Sequence, residues 1–73
     1  GEMKKQQFRV EDMHCVNCAM RLQELEDTLP GVKSVDASYR TGKMVVEYDE
    51  AKIKSYQILQ AVRRLGYTAV PES

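Results

Sequence analysis

The apolar residues of this chain change their spacing in a fixed order, from every second residue to every third or fourth and back again, and few folds accept that order. Near the amino end Phe8 and Val10 alternate with Gln7, Arg9 and Glu11, so residues 6–11 read as a strand with one buried face. Residues 12–17 break the alternation and read as a loop. From Cys18 onward Ala19, Leu22, Leu25 and Leu29 recur at intervals of three and four, the stripe of a helix whose Arg21, Glu24, Glu26 and Asp27 face solvent. Pro30-Gly31 stops that helix. Val32, Val35, Ala37 and Tyr39 make a second strand, Arg40-Thr41-Gly42-Lys43 a turn, and Met44, Val46 and Tyr48 the returning strand of a hairpin. After Asp49-Glu50, Ser55 is the expected N-cap of a second helix, which buries Ile58, Leu59, Val62 and Leu65 and ends with Gly66 at C′. Residues 67–70 supply a short last strand, closed by Pro71.

The order β-α-β-β-α-β is the split βαβ arrangement. It predicts an α+β, ferredoxin-like sandwich in which a four-stranded antiparallel sheet carries two helices on one face. Residues 6–70 form one unit without repeat or linker. Residues 1–5 are expected to be a tag remnant or a flexible N-terminus, with Met3 a candidate native start, and residues 71–73 a flexible C-terminus. A domain of 73 residues buries only roughly 60% of the surface that its unfolded chain exposes, so a bound ion matters to stability as well as to function.

Charge and hydropathy exclude several classes of function. The 11 basic and 11 acidic side chains cancel, which leaves no overall field to attract nucleic acid, and one Phe with no Trp offers no base-stacking platform. The longest apolar runs, such as Met44-Val45-Val46, are three residues long, against the roughly 20 of a membrane-spanning helix. No direct membrane insertion is expected. With no signal-peptide pattern in view, a cytoplasmic location is. The charges are nonetheless polarised: Glu24, Glu26 and Asp27 lie on the first helix, Lys52, Lys54, Arg63 and Arg64 around the second.

Chemistry resides in two cysteines, Cys15 and Cys18, separated by two residues. A bridge between them would close a tiny loop and remove little chain entropy, so structure is a poor reason for having them. They sit at the junction of the first loop and the first helix, where free backbone N–H groups and the helix dipole favour thiolates, Cys18 most directly. Two thiolates with no obligatory third ligand suit a soft cation of low coordination number: Cu(I), with Ag(I) and Hg(II) as chemical relatives. Structural Zn(II) normally takes four protein ligands, and this region supplies two Cys and His14. A buried inert pair and a dithiol redox centre are the alternatives that the spacing leaves open.

The stretch Asp12-Met13-His14-Cys15-Val16-Asn17-Cys18-Ala19 resembles the M-x-C-x-x-C signature of the heavy-metal-associated domain family, which includes bacterial copper chaperones and the N-terminal modules of heavy-metal P-type ATPases. Leu29-Pro30-Gly31-Val32, Val35, the Gly42 hairpin, Tyr48-Asp49 and Leu65-Gly66-Tyr67 agree with it, and the resemblance covers residues 6–70. It implies a metal held between Cys15 and Cys18. It implies that Met13 tucks under the loop without touching the metal, and that Tyr67 shields the site and bonds near the sulfurs. Two positions depart from the family pattern. Asp12 stands where Gly is usual, and an acidic neighbour would weakly oppose thiolate formation and favour a harder cation. His14 replaces the commoner Thr or Ser in a slot that influences metal choice, and is a candidate third ligand in a metal-bridged dimer.

The resemblance implies a carrier of Cu(I), not an enzyme, that hands its ion by thiolate exchange to a partner. That partner would be a heavy-metal P-type ATPase or its metal-binding domain, or a copper chaperone if this chain is itself the ATPase module. A zinc or cadmium module and a small dithiol oxidoreductase with Cys15 as nucleophile are the other readings. A monomer without metal and a metal-bridged homodimer with it are expected.

Overall fold

The computed structural model describes residues 3–72. Among these the chain forms β1 (Met3–Val10), α1 (Val16–Gln23), α2 (Leu25–Thr28), β2 (Val32–Ser38), β3 (Lys43–Asp49), α3 (Ser55–Arg64) and β4 (Ala69–Glu72). The strands make one antiparallel sheet in the order β2-β3-β1-β4. This is the expected ferredoxin-like sandwich. Its first helical layer comes in two pieces, α1 and α2, joined at Glu24, whose backbone stays in the α region while Asp27 N–H bonds back to the Glu24 carbonyl at 3.0 Å.

The period-two residues of the strands and the stripes of the helices meet in one core. Phe8, Val10, Leu22, Met44, Val46, Ile58 and Val62 are fully enclosed, with Ala19, Leu25, Val35 and Tyr48 beside them. Leu59 and Leu65, expected inside, are only partly buried and pack on its margin, whereas Ala61 takes an interior place. The three-residue step from Val32 to Val35 is a β-bulge: Val32 faces Tyr48 while Ser34 faces Glu47, and the residue between them keeps both valines on the core side.

Several boundaries differ from expectation, each for a local reason. β1 begins at Met3, three residues early, because Met3, Lys4 and Lys5 pair with Asp49, Tyr48 and Glu47 of β3. That pairing is made by backbone and leaves no apolar alternation to read. Gly1 and Glu2 lie outside the described residues. At the other end β4 starts at Ala69 and runs through Pro71 to Glu72. It is an edge strand, where a proline needs no ladder N–H on its outer side. Glu72 fastens it: Gln7 Nε2 donates to its Oε1 at 3.0 Å, Gln6 Nε2 to its carbonyl at 2.9 Å, and Arg9 and Lys43 lie within 3.7 Å. Gln7, then Lys43 and Arg9, hold the Glu72 carboxyl below its ordinary range. Ser73 lies outside the described residues. Tyr39 leaves the strand face for the hairpin turn and is partly exposed. The N-cap of α3 is Lys54, not Ser55, because the Gln57 side chain accepts the Lys54 N–H at 2.8 Å.

Two glycines fix the connections. Gly31, after α2, has φ +95°, and a Cβ there would lie 2.8 Å from Lys52 Cβ and 3.0 Å from Ile53 Cγ2. Gly66, after α3, has φ +98° with open space around it. Gly31→Ala adds overpacking to the cost of a left-handed backbone and should lose roughly 2–4 kcal/mol. Gly66→Ala should lose about 1 kcal/mol. Thermal melts separate them, since each kcal/mol moves the midpoint by about 4–8 °C in a domain of this size. Equal shifts would contradict the close approach at Gly31.

Candidate metal centre

The loop between β1 and α1 is built from both ends. Val10 ends β1 in the core, and Met13, 2% exposed, returns the chain to that core. Cys15 has extended backbone (φ −148°, ψ 169°) as N-cap of α1, and its carbonyl accepts the Ala19 N–H at 3.2 Å. Its side chain makes no capping bond, so the sulfur is free to point elsewhere. Cys18 lies in the first turn of the helix, which starts two residues earlier than its apolar stripe indicated. Both sulfurs therefore stand at the positive end of a helix.

They stand together. Cys15 Sγ and Cys18 Sγ are 3.1 Å apart, both as free thiols, with Cys15 exposed and Cys18 partly covered. The separation exceeds a disulfide bond of roughly 2.05 Å. It is also too short for a metal in low coordination. With metal–sulfur bonds of roughly 2.3 Å, the length of a zinc thiolate bond, sulfurs this close would subtend only about 85° at the ion, whereas linear coordination needs roughly 4.6 Å. A linear two-sulfur site would need the pair to spread by more than an ångström from 3.1 Å.

Tyr67 reaches the same place from the far end of the chain. α3 closes in a Schellman motif, with Gly66 N–H on the Arg63 carbonyl at 2.9 Å and Tyr67 N–H on the Val62 carbonyl at 3.2 Å. After this turn Tyr67 packs on the margin of the core, as Cys18 does, and its hydroxyl acts as a donor toward the Cys18 thiol. Donation from Tyr67, then from Cys15 and the backbone of His14, lowers the Cys18 thiol from 9.0 to about 7. Cys18 in return raises the Tyr67 phenol, which stays protonated as the donor. The Cys18 alkylation rate should therefore rise with pH through a midpoint near 7, and Tyr67→Phe should move that midpoint upward. A midpoint unchanged by the substitution would contradict the contact.

The remaining expected residues are placed as follows. Met13 lies inside the core beneath the loop. His14 is exposed. Among the described residues no three His, Cys, Asp or Glu side chains gather into a cation-binding group. Asp12 is occupied elsewhere: its Oδ1 accepts the Thr68 N–H at 3.1 Å. Sequence reasoning missed that bond, which joins positions 56 residues apart. It also missed the apolar surface of Val16 (51% exposed) and Met20 (55%). Their four-residue spacing, off the buried Ala19–Leu22 stripe, was the available signal. No helix among the described residues is long and apolar enough to cross a membrane.

The family whose sequence profile matches is the heavy-metal-associated domain, over residues 7–68. The copper chaperone CopZ of Enterococcus hirae is 40% identical over 65 residues, covering 89% of this chain and 94% of CopZ. A zinc-transporting ATPase of Synechocystis is 32% identical over 72 residues; the match takes in 97% of this chain and only 10% of the ATPase. The crystal structure of oxidized MerP from Ralstonia metallidurans shares the fold, with a TM-score of 0.92 at 24% identity over 99% of this chain and 100% of MerP.

Proposed function

Because the chain belongs to the heavy-metal-associated domain family, we propose that it carries Cu(I) between Cys15 and Cys18 and passes it to a partner that presents its own cysteine pair. The observation that carries this reading is the pair of free sulfurs 3.1 Å apart at a helix N-terminus, one of them exposed. Two soft donors at an open edge suit a monovalent soft ion, and the ion here is cargo. An incoming thiol approaches from the Cys15 side and bonds the ion, giving a three-sulfur intermediate. One resident metal–sulfur bond then breaks, and the proton lost by the incoming thiol is taken up by the departing thiolate. A second such exchange completes transfer. Copper stays Cu(I) throughout and no covalent substrate is turned over, so the chain acts as a carrier and not as an enzyme. Ag(I) and Hg(II) are soft enough to occupy the same two sulfurs.

A heavy-metal P-type ATPase, or its metal-binding domain, is the proposed acceptor. If this chain is itself such a module, a copper chaperone is the donor. The similarity to CopZ supports the first arrangement. Its thiols stay reduced in the cytoplasm, the proposed compartment. Without metal the chain is a monomer; an ion shared between two Cys15–Cys18 pairs, with His14 nearby as a further donor, joins two copies. Sedimentation across a Cu(I) titration should show some dimer.

The similarity to the zinc-transporting ATPase favours a second reading in which the ion is Zn(II). An anaerobic titration of the reduced protein with Cu(I) and, in parallel, Zn(II), each against a coloured chelator, decides between them. The carrier reading expects one Cu(I) per chain, withdrawn from a strong chelator, with Zn(II) held weakly. Equal or tighter Zn(II) binding overturns the copper assignment. Turnover of a disulfide substrate with no metal bound would instead make the pair a redox centre.

A further inference from the structure

Tyr67 is held on one side by its own N–H, bonded to the Val62 carbonyl at the end of α3. On its other side the next residue, Thr68, gives its N–H to the Asp12 carboxylate at 3.1 Å. Asp12 lies in the turn that leaves β1, one residue before the buried Met13 and three before Cys15. The loop that bears the sulfurs and the segment that bears Tyr67 are thus tied by a hydrogen bond between residues 56 apart in sequence. We propose that Asp12 is a positioning residue, whose bond to the Thr68 N–H holds Tyr67 against Cys18 and slows escape of the ion. The proposal rests on the copper-carrier reading for its effect on the ion, and on the Asp12–Thr68 hydrogen bond for its effect on Tyr67.

The chemistry of the tie separates it from a charge effect. A carboxylate near two thiolates would oppose their ionisation and act through space, whatever its hydrogen bonds. A tie acts through acceptance of one N–H, which an amide oxygen performs equally well. Asp12→Asn keeps the acceptor and removes the charge. Asp12→Ala removes both. Loss of a group that orients a metal ligand from behind typically costs about 10–100-fold in affinity, so a Tyr67 set adrift should be visible in release rates.

Four proteins decide the matter: Asp12→Ala, Asp12→Asn, Tyr67→Phe and the double variant Asp12→Ala/Tyr67→Phe, each compared with the parent. In the metal-free state, amide hydrogen exchange at Thr68 and nuclear Overhauser contacts between the Tyr67 ring and the Cys18 β-protons are recorded. With one Cu(I) per chain, the rate of release to a chelator is recorded. Asp12→Ala should lose Thr68 protection and the Tyr67–Cys18 contacts and release Cu(I) roughly 10-fold faster. Asp12→Asn should match the parent. The double variant should release no faster than Tyr67→Phe, because both changes remove the same contact. Three results would overturn the proposal: Asn and Ala variants behaving alike, independent multiplication of the two effects, or Asp12→Ala indistinguishable from the parent. A parent that holds no Cu(I) refutes the carrier reading alone, since the metal-free contacts still decide the role of Asp12.

Discussion

Replacing Cys15 and Cys18 together by Ser should abolish Cu(I) binding while the protein keeps its fold and melting behaviour. The two parts of that expectation have different causes. Cys15 is exposed and Cys18 only partly covered, and neither fills the core that Phe8, Leu22, Met44 and Ile58 define. Surface substitutions of this kind usually change stability by no more than about 0.5 kcal/mol. Binding, by contrast, depends on the two sulfurs in the proposed carrier, and no group of three His, Cys, Asp or Glu among the described residues offers another site. A serine hydroxyl stays protonated near neutrality and is a hard donor, ill matched to Cu(I). The single variants should each lose more than the roughly 10–100-fold that follows from removing a group behind a ligand. Equilibrium competition with a chelator measures the loss, and circular dichroism confirms the fold. Tight Cu(I) binding by the double variant would remove Cys15 and Cys18 from the site.

The second large effect belongs to Met13. At 2% exposure it is the inward anchor of the loop, fixed between β1 and the cysteines. Met13→Ala should cost roughly 2–5 kcal/mol, from the lost burial and the cavity left behind. That is a large share of the total stability of so small a domain. The midpoint should fall by at least about 8 °C, since each kcal/mol is worth about 4–8 °C here. Met13→Leu conserves volume and should cost less than about 1.5 kcal/mol. The pair also separates packing from ligation. If Met13 anchors the loop, the Leu variant still binds one Cu(I) per chain at parental affinity. Loss of Cu(I) by a stable Met13→Leu protein would make the thioether a ligand.

The fold was legible wherever side-chain burial dictates it. Phe8 and Val10, the Ala19–Leu22–Leu25 stripe and the Ile58–Val62 stripe have the periods of their elements and are buried as those periods require. Even the irregular step from Val32 to Val35 was visible in the spacing and proved to be a bulge. Legibility failed where backbone pairing or polar side chains do the holding. The first residues of β1 pair with β3 through the main chain, and β4 continues past Pro71 because Gln6, Gln7, Arg9 and Lys43 converge on Glu72. The cap of α3 shifted to Lys54 because a side chain three residues on, Gln57, reaches back to it.

The centre divides in the same way. Cys15 and Cys18 are neighbours in sequence, so their approach follows from local helix geometry. The inward placement of Met13 followed from the family resemblance, and the structure buries it. Tyr67 was reachable through the family resemblance alone. The role of Asp12 was not legible. Its carboxylate accepts a backbone amide that only the folded topology brings near, a bond that no local pattern announces.

X-ray absorption at the copper edge, on the monomeric fraction of the protein loaded anaerobically with one Cu(I) per chain, tests the central claim most directly. Coordination by Cys15 and Cys18 alone predicts two sulfur scatterers and no nitrogen or oxygen, with the sulfurs spread well beyond the 3.1 Å of the metal-free pair. A nitrogen or oxygen in the first shell, or a third sulfur, would contradict it and bring His14, Asp12 or a methionine into the site.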